Sequence, residues 1–258
     1  MTSEQKEKPK EFDRSQLLCI KAFPKNSSFR PVKARKFLNK NDSKSELHKN
    51  PENQARTDQI LSIESRSPTF RVCTCERTQN TTIKGFRINF LFTSSSGDNL
   101  SAKIKPRKDS SSIGISKGTE SHINSKSFIG VVLFTNNFCD ASLRMDEMYG
   151  KEICTIQFRQ NVPDSPRDVS LHMFDQPSTI PHKLESKQPE FIDGQWFVDL
   201  HSDNAVASIK NSCLCDDKGL AYIVIRKISK DKLEIESYHE ISDLILFSVC
   251  ISSFLCKE

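Results

Sequence analysis

From Thr69 onward, hydrophobic residues recur in short runs that alternate with polar ones, and each run ends in a polar turn. Alternation with a period of two marks a half-buried strand. On this pattern the chain predicts twelve strands: Phe70–Cys75, Phe86–Phe92, Leu100–Lys105, Ile113–Ser116, Phe128–Phe134, Ala141–Met145, Glu152–Phe158, Asp168–Phe174, Gln195–Leu200, Ala205–Ile209, Leu220–Ile225 and Lys232–Glu236. Ile, Val, Phe and Thr are frequent in these runs, as pleated surfaces favour. The links between them carry turn chemistry, as in Ser96-Gly97-Asp98-Asn99, Pro163-Asp164-Ser165-Pro166, Asp193-Gly194 and Asp217-Lys218-Gly219. Many short strands without helices between them predict an antiparallel sandwich or barrel.

The last segment breaks this rhythm. Ser242 to Leu255 reads SDLILFSVCISSFL, with apolar residues on every side of the helix it predicts. A helix that is apolar all round is buried all round. Crossing a bilayer takes about 20 residues, so this shorter run reads as a core helix. Ser242 suits the N-cap, and Asp243 complements the positive end of the helix dipole. One apolar helix after about a dozen strands suggests a closed sheet wrapped around a helix.

Residues 1–68 have a different texture, rich in Lys, Asn, Ser, Glu and Pro, with sparse apolar residues and no sustained period. They read as a disordered basic segment. It holds 15 basic and 9 acidic side chains, a net of +6, whereas residues 69–258 hold 23 and 24, a net of −1. The basic excess therefore sits in the leader, where Arg30-Pro31-Val32-Lys33-Ala34-Arg35-Lys36 reads either as a solvated charge run or as a nuclear-import or anion-contact cluster. A near-neutral folded part gives no support for specific nucleic-acid binding. A mean hydropathy of −0.52 excludes a multispan membrane protein. No secretory signal opens the chain, and nine cysteines are an odd number, so the thiols read as reduced and the protein as not secreted. Cys73/Cys75 and Cys213/Cys215 are Cys-x-Cys pairs that would share one face of a strand. Buried thiols are the default for them, with a metal site as the alternative.

Residues 69–258 contain motifs that resemble the tubby-like family. Val206-Ala207-Ser208-Ile209-Lys210-Asn211 is close to the family's Val-x-Ala-Ser-Val-Lys-Asn, and it follows Trp196-Phe197-Val198-Asp199-Leu200-His201. Tyr222-Ile223-Val224-Ile225 is similar to the family's Tyr-Ile-Val-Met. Phe247-Ser248-Val249-Cys250-Ile251-Ser252-Ser253-Phe254 matches its closing Phe-Ala-Ile-x-Leu-Ser-Ser-Phe, and the end Cys256-Lys257-Glu258 its terminal Ala-Cys-Glu. Weaker echoes are Ile115-Ser116, Ser127-Phe128-Ile129-Gly130 and Ser165-Pro166-Arg167. The resemblance implies a mainly β fold, a closed antiparallel barrel of about 12 strands around a buried hydrophobic C-terminal helix. It also implies a non-enzymatic module that binds phosphatidylinositol 4,5-bisphosphate reversibly through converging basic side chains.

Carried over position by position, the resemblance implies a phosphoinositide site of Arg167, Lys103, Lys105, Arg107 and Ser112, with Lys108 in the same basic run. Two of the family's basic positions are apolar here, Val131 and Leu133. The alternative is therefore a protein-interaction or transcription-regulatory adaptor that keeps the barrel and has lost the lipid site. Expected partners are an anionic phosphoinositide membrane surface and protein cargo. The expected location is cytoplasmic and peripheral at the plasma membrane, with the nucleus as a further site. No cofactor or metal is expected. Nothing in residues 1–68 resembles an F-box. Of the six histidines, only His201-Ser202-Asp203 holds triad residue types, and adjacent residues rarely converge as a triad.

Overall fold

The computed structural model describes residues 69–256 apart from 84, 106–110, 120–125, 148, 163–164, 201 and 203. The leader with its Arg30–Lys36 cluster lies outside the described residues, as do Arg107, Lys108, His201 and Asp203. Fourteen strands are described: β1 Phe70–Thr82, β2 Gly85–Thr93, β3 Asn99–Ile104, β4 Ser112–Lys117, β5 Phe128–Thr135, β6 Asp140–Met145, β7 Glu152–Arg159, β8 Asp168–Met173, β9 Lys183–Ser186, β10 Glu190–Ile192, β11 Gln195–Phe197, β12 Ser212–Cys215, β13 Ala221–Ser229 and β14 Lys232–Tyr238. The helix α1, Asp243–Leu255, follows them.

Twelve of the strands close into an antiparallel barrel in the order β1-β14-β13-β12-β9-β8-β7-β6-β5-β4-β3-β2. Closure removes the unpaired edges that an open sheet would leave. The long β1 makes it possible, pairing β14 through Phe70–Glu76 and β2 through Thr74–Thr82. The fold is thus mainly β, as the alternation predicts, but its membership differs from the expectation. Ala205–Ile209 forms no strand, and β11 pairs only β10 in a separate hairpin. β9 and β12 take the open places in the barrel.

The helix fills the lumen. Its residues from Ile245 to Leu255 are all buried, among them Ile245, Leu246, Phe247, Val249, Ile251, Phe254 and Leu255. Each such side chain is worth about 1.5–3 kcal/mol when removed from water, which outweighs the modest helix propensity of Val, Ile and Ser. Phe247 meets Phe92 with ring centroids 5.5 Å apart, and Phe254 meets Phe90 at 6.0 Å. Buried hydroxyls turn inward on the helix itself: Ser248 donates to the Ile245 carbonyl and Ser252 to the Ser248 carbonyl, both at 2.7 Å. The Ser242 hydroxyl accepts from the Ile245 amide at 3.3 Å, and Asp243 pairs Arg71 at 2.7 Å. Both serve the N-terminus as the sequence implies.

A second, smaller apolar cluster lies outside the barrel wall. Val198 and Leu200 cover Cys213, Cys215 and Val224 there. Leu214, between the two cysteines, faces the main core. The Cys-x-Cys pair therefore does share one face of a strand, and its thiols are buried.

Candidate functional site

The inward row of each strand is fixed by the core, which fixes the outward row too. On β3 the core takes Leu100, Ala102 and Ile104, so Lys103 points outward and is exposed; Lys105, just beyond the strand, is exposed as well. On β5 the core takes Val132 and Phe134, so Val131 and Leu133 face outward. On β2 and β6 the same logic sets Arg87, Asn89, Ser142 and Arg144 outward, between the core residues Ile88, Phe90, Ala141 and Leu143.

Register brings these residues together. Ser112 stands opposite Leu133, and Leu133 opposite Ser142. Gly114 stands opposite Val131, and Val131 opposite Arg144. Asn89 stands opposite Lys103. Continuing the β2–β3 and β3–β4 registers sets Arg87 beside Lys105, Lys105 beside Ser112 and Lys103 beside Gly114. The outer wall from β2 to β6 therefore carries two rows. One is Arg87, Lys105, Ser112, Leu133, Ser142; the other is Asn89, Lys103, Gly114, Val131, Arg144.

The first row has both its cations, Arg87 and Lys105, on the β2–β3 side, whereas Lys103 and Arg144 stand on either side of Gly114 and Val131 in the second. Lys103 and Arg144 are three strand spacings apart, about 14 Å, with Gly114 and Val131 between them. Among the described residues neither Arg87, Lys103 nor Arg144 makes an ion pair. The Nε atoms of Arg87 and Arg144 are buried without a hydrogen-bond partner. Glu152 borders the strip in register with Arg144, but its carboxylate accepts the Ser142 hydroxyl at 2.5 Å. Val131 is only 5% exposed although it faces outward, so it supplies an apolar floor rather than a donor.

Of the residues expected at the site, the structure brings Lys103, Lys105 and Ser112 together on this wall. Arg107 lies outside the described residues. Arg167 is elsewhere: at 4% exposure it reaches into the barrel end and donates to the carbonyls of Ser253 at 3.4 Å and Cys256 at 3.0 Å. It caps the C-terminus of α1, where backbone carbonyls lack intrahelical partners. Lys210 joins it, donating from Nζ to the Ser253 carbonyl at 2.5 Å. Burial, with the nearby charges of Arg167 and Arg77 adding to it, pulls the Lys210 ammonium down to about 7. Arg77 lies over the Phe254 ring at 5.0 Å and pairs Asp231 at 2.7 Å. These cations stabilise the helix end.

Arg87 and Arg144 were not expected at the site. Each sits in a clean alternation, Arg87-Ile88-Asn89-Phe90 and Ala141-Ser142-Leu143-Arg144, which signals an outward side chain. What the sequence does not display is that β2 and β6 flank the same three strands.

A second exposed feature is the hairpin β10–β11. Phe191 is 60% exposed and packs on Trp196 with ring centroids 4.8 Å apart. Asp193 and Gly194 make its turn with positive φ at both positions, +50° and +79°, the geometry of a tight two-residue hairpin. Scanning the chain against protein-family models and against curated proteins gives no match.

Proposed function

We propose that the chain is a tubby-like, non-enzymatic binding module whose outer wall between β2 and β6 holds the phosphorylated headgroup of a phosphoinositide at a membrane surface. One observation carries this reading: Arg87 on β2, Lys103 on β3, Lys105 just beyond it and Arg144 on β6 all lie at outward positions of five consecutive barrel strands. A bisphosphorylated ring needs several converging cationic donors, and arginine offers paired ones. Each charged hydrogen bond is worth roughly 1.5–3 kcal/mol. The apolar Val131 and Leu133 remove two donors from the middle of the strip. Arg144 and Arg87, on the flanking strands, supply replacements from its sides. Arg167 is assigned to the helix end and not to the headgroup.

The test is co-sedimentation of the full chain with phosphatidylcholine vesicles, with and without phosphatidylinositol bisphosphate, at about 0.15 M salt, where diffuse surface attraction is screened. Binding should require the phosphoinositide and should be lost in Lys103→Glu/Arg144→Glu. It should survive in Lys218→Glu, an exposed cation in the β12–β13 turn. Equal sedimentation with both vesicle types, or binding untouched by the double reversal, would contradict the reading.

A second reading is a protein-interaction or transcription-regulatory adaptor. The β10–β11 hairpin favours it, because its exposed Phe191 and Ile192, with Phe191 packed on a half-buried Trp196, offer an apolar surface for a partner to cover. Absence of headgroup-dependent binding, together with a partner captured by the native chain but not by Phe191→Ser/Trp196→Ser, would select it.

A further inference from the structure

Eight of the nine cysteines lie among the described residues, and all eight are buried. Most have surroundings that suppress chemistry. Cys154 faces the Ser248 hydroxyl inside the core, and burial pushes its thiol up to about 12. Burial, together with its hydrogen bond to Cys250, drives Cys75 well up too. Cys213 and Cys215 are 3.8 Å apart, but two residues apart on one strand, where a bridge would distort the backbone.

One pair differs. The Sγ atoms of Cys139 and Cys256 are 3.1 Å apart, although the residues are 117 positions apart in the chain. Cys139 follows a turn in which Asn136, Asn137 and Phe138 all have positive φ, at +47°, +52° and +68°. For Phe138 this left-handed backbone is costly and persists only where neighbours fix it. The fixing contacts are visible. Phe138 stacks on Phe134 at 5.2 Å, the Cys139 amide donates to the Asn136 carbonyl at 2.9 Å, and the Phe158 amide donates to the Cys139 carbonyl at 2.8 Å. On the other side, the Cys256 amide donates to Ser252 at 2.8 Å, and Arg167 holds the Cys256 carbonyl. Both backbones are thus pinned with the thiols facing one another. A disulfide has its sulfurs about 2.05 Å apart, so about 1 Å of approach remains, within reach of side-chain rotation. Arg167 and Lys210 donate to carbonyls at the same helix end and help hold it in place.

We propose that Cys139 and Cys256 form a reversible disulfide that latches the C-terminus of the core helix to the β5–β6 turn when peroxide is present. The Cys256 thiolate attacks one peroxide oxygen, breaking the O–O bond and leaving a sulfenic acid; the released hydroxide takes a proton to become water. The Cys139 sulfur then displaces hydroxide from the sulfenic sulfur, the S–S bond forms, and the hydroxide leaves as water with the Cys139 proton. Two thiols give up two electrons and two protons, and one peroxide becomes two waters. The latch is independent of the proposed headgroup site.

The test uses the native, full-length chain, so it needs no variant to fold. Reduced protein is treated with hydrogen peroxide, digested without reductant and mapped by mass spectrometry. The expected product is one linked pair of peptides holding Cys139 and Cys256, absent in Cys139→Ala. It should be accompanied by a rise in Tm of about 5–10 °C that dithiothreitol reverses. Recovery of Cys139 and Cys256 as free thiols or as separate sulfinic acids from protein that is otherwise oxidised would overturn the proposal. So would linkage of either to a different cysteine.

Discussion

Arg167 shows how much a single residue's direction matters. Its charge suggests a surface ligand, yet its guanidinium satisfies two carbonyls at the end of α1. Replacing it with Met leaves those carbonyls bare in a buried place. Arg167→Met should lower the unfolding free energy by about 2–4 kcal/mol, read from urea denaturation. It should leave vesicle binding intact at temperatures where the variant stays folded. Lys210 has a sharper signature. Its ammonium is held at about 7 in the folded chain, far below the ordinary lysine range. The unfolded chain therefore binds the extra proton above pH 7, so this group's penalty is full below pH 7 and is relieved as pH rises toward the unfolded value. Unfolding free energy should climb between pH 7 and 8.5, by at most about 1.4 kcal/mol per pH unit, before thiol ionisation opposes it. Lys210→Met should flatten that climb. Lys103 and Lys105 were named from the basic run that the family resemblance supplies, and the period of two along β3 sets both outward. The place of Arg167 was not legible, because a motif gives a residue type and a position but not the direction of its side chain.

Among the elements, α1 and the wall beneath it are the most tightly fitted. Gly130 on β5 faces the first turn of the helix; a methyl group there would meet the Arg144 carbonyl at 2.8 Å and the Leu244 side chain at 3.5 Å. The carbonyl belongs to the barrel ladder and cannot step aside. Gly130→Ala should cost about 1–3 kcal/mol despite its higher intrinsic strand and helix preference, and thermal melting will show it. The helix itself was legible as buried because its apolar residues leave no polar face. Ten of the predicted strands correspond to barrel strands, since they carry alternation with β-branched and aromatic residues. Ala205–Ile209 carries a similar pattern but is claimed by side-chain hydrogen bonds: Asn211 donates to the Val206 carbonyl at 2.9 Å and accepts from the Lys227 amide at 2.7 Å. Such local bonds compete with a ladder. β9, Lys-Leu-Glu-Ser, was illegible for the opposite reason, because a single inward Leu184 gives no period to detect. β12 is buried on both faces, so it reads as a continuous apolar run and not as an alternation.

For the whole molecule, closure of the barrel is what makes a site. Five consecutive strands, β2 to β6, present one wall, and the helix behind them keeps that wall from collapsing inward. The proposed headgroup site is a property of this wall and of no single motif, which is why the sequence shows some of its cations and hides Arg87 and Arg144. Its location can be read directly by titrating the soluble headgroup inositol trisphosphate into the 15N-labelled full-length chain and following amide chemical shifts. The expected result is saturable shifts gathered at Arg87 to Asn89, Lys103 to Lys105, Ser112 to Gly114, Val131 to Leu133 and Ser142 to Arg144. No saturable shifts, or shifts gathered around Arg167 and the end of the helix, would contradict the site proposed here.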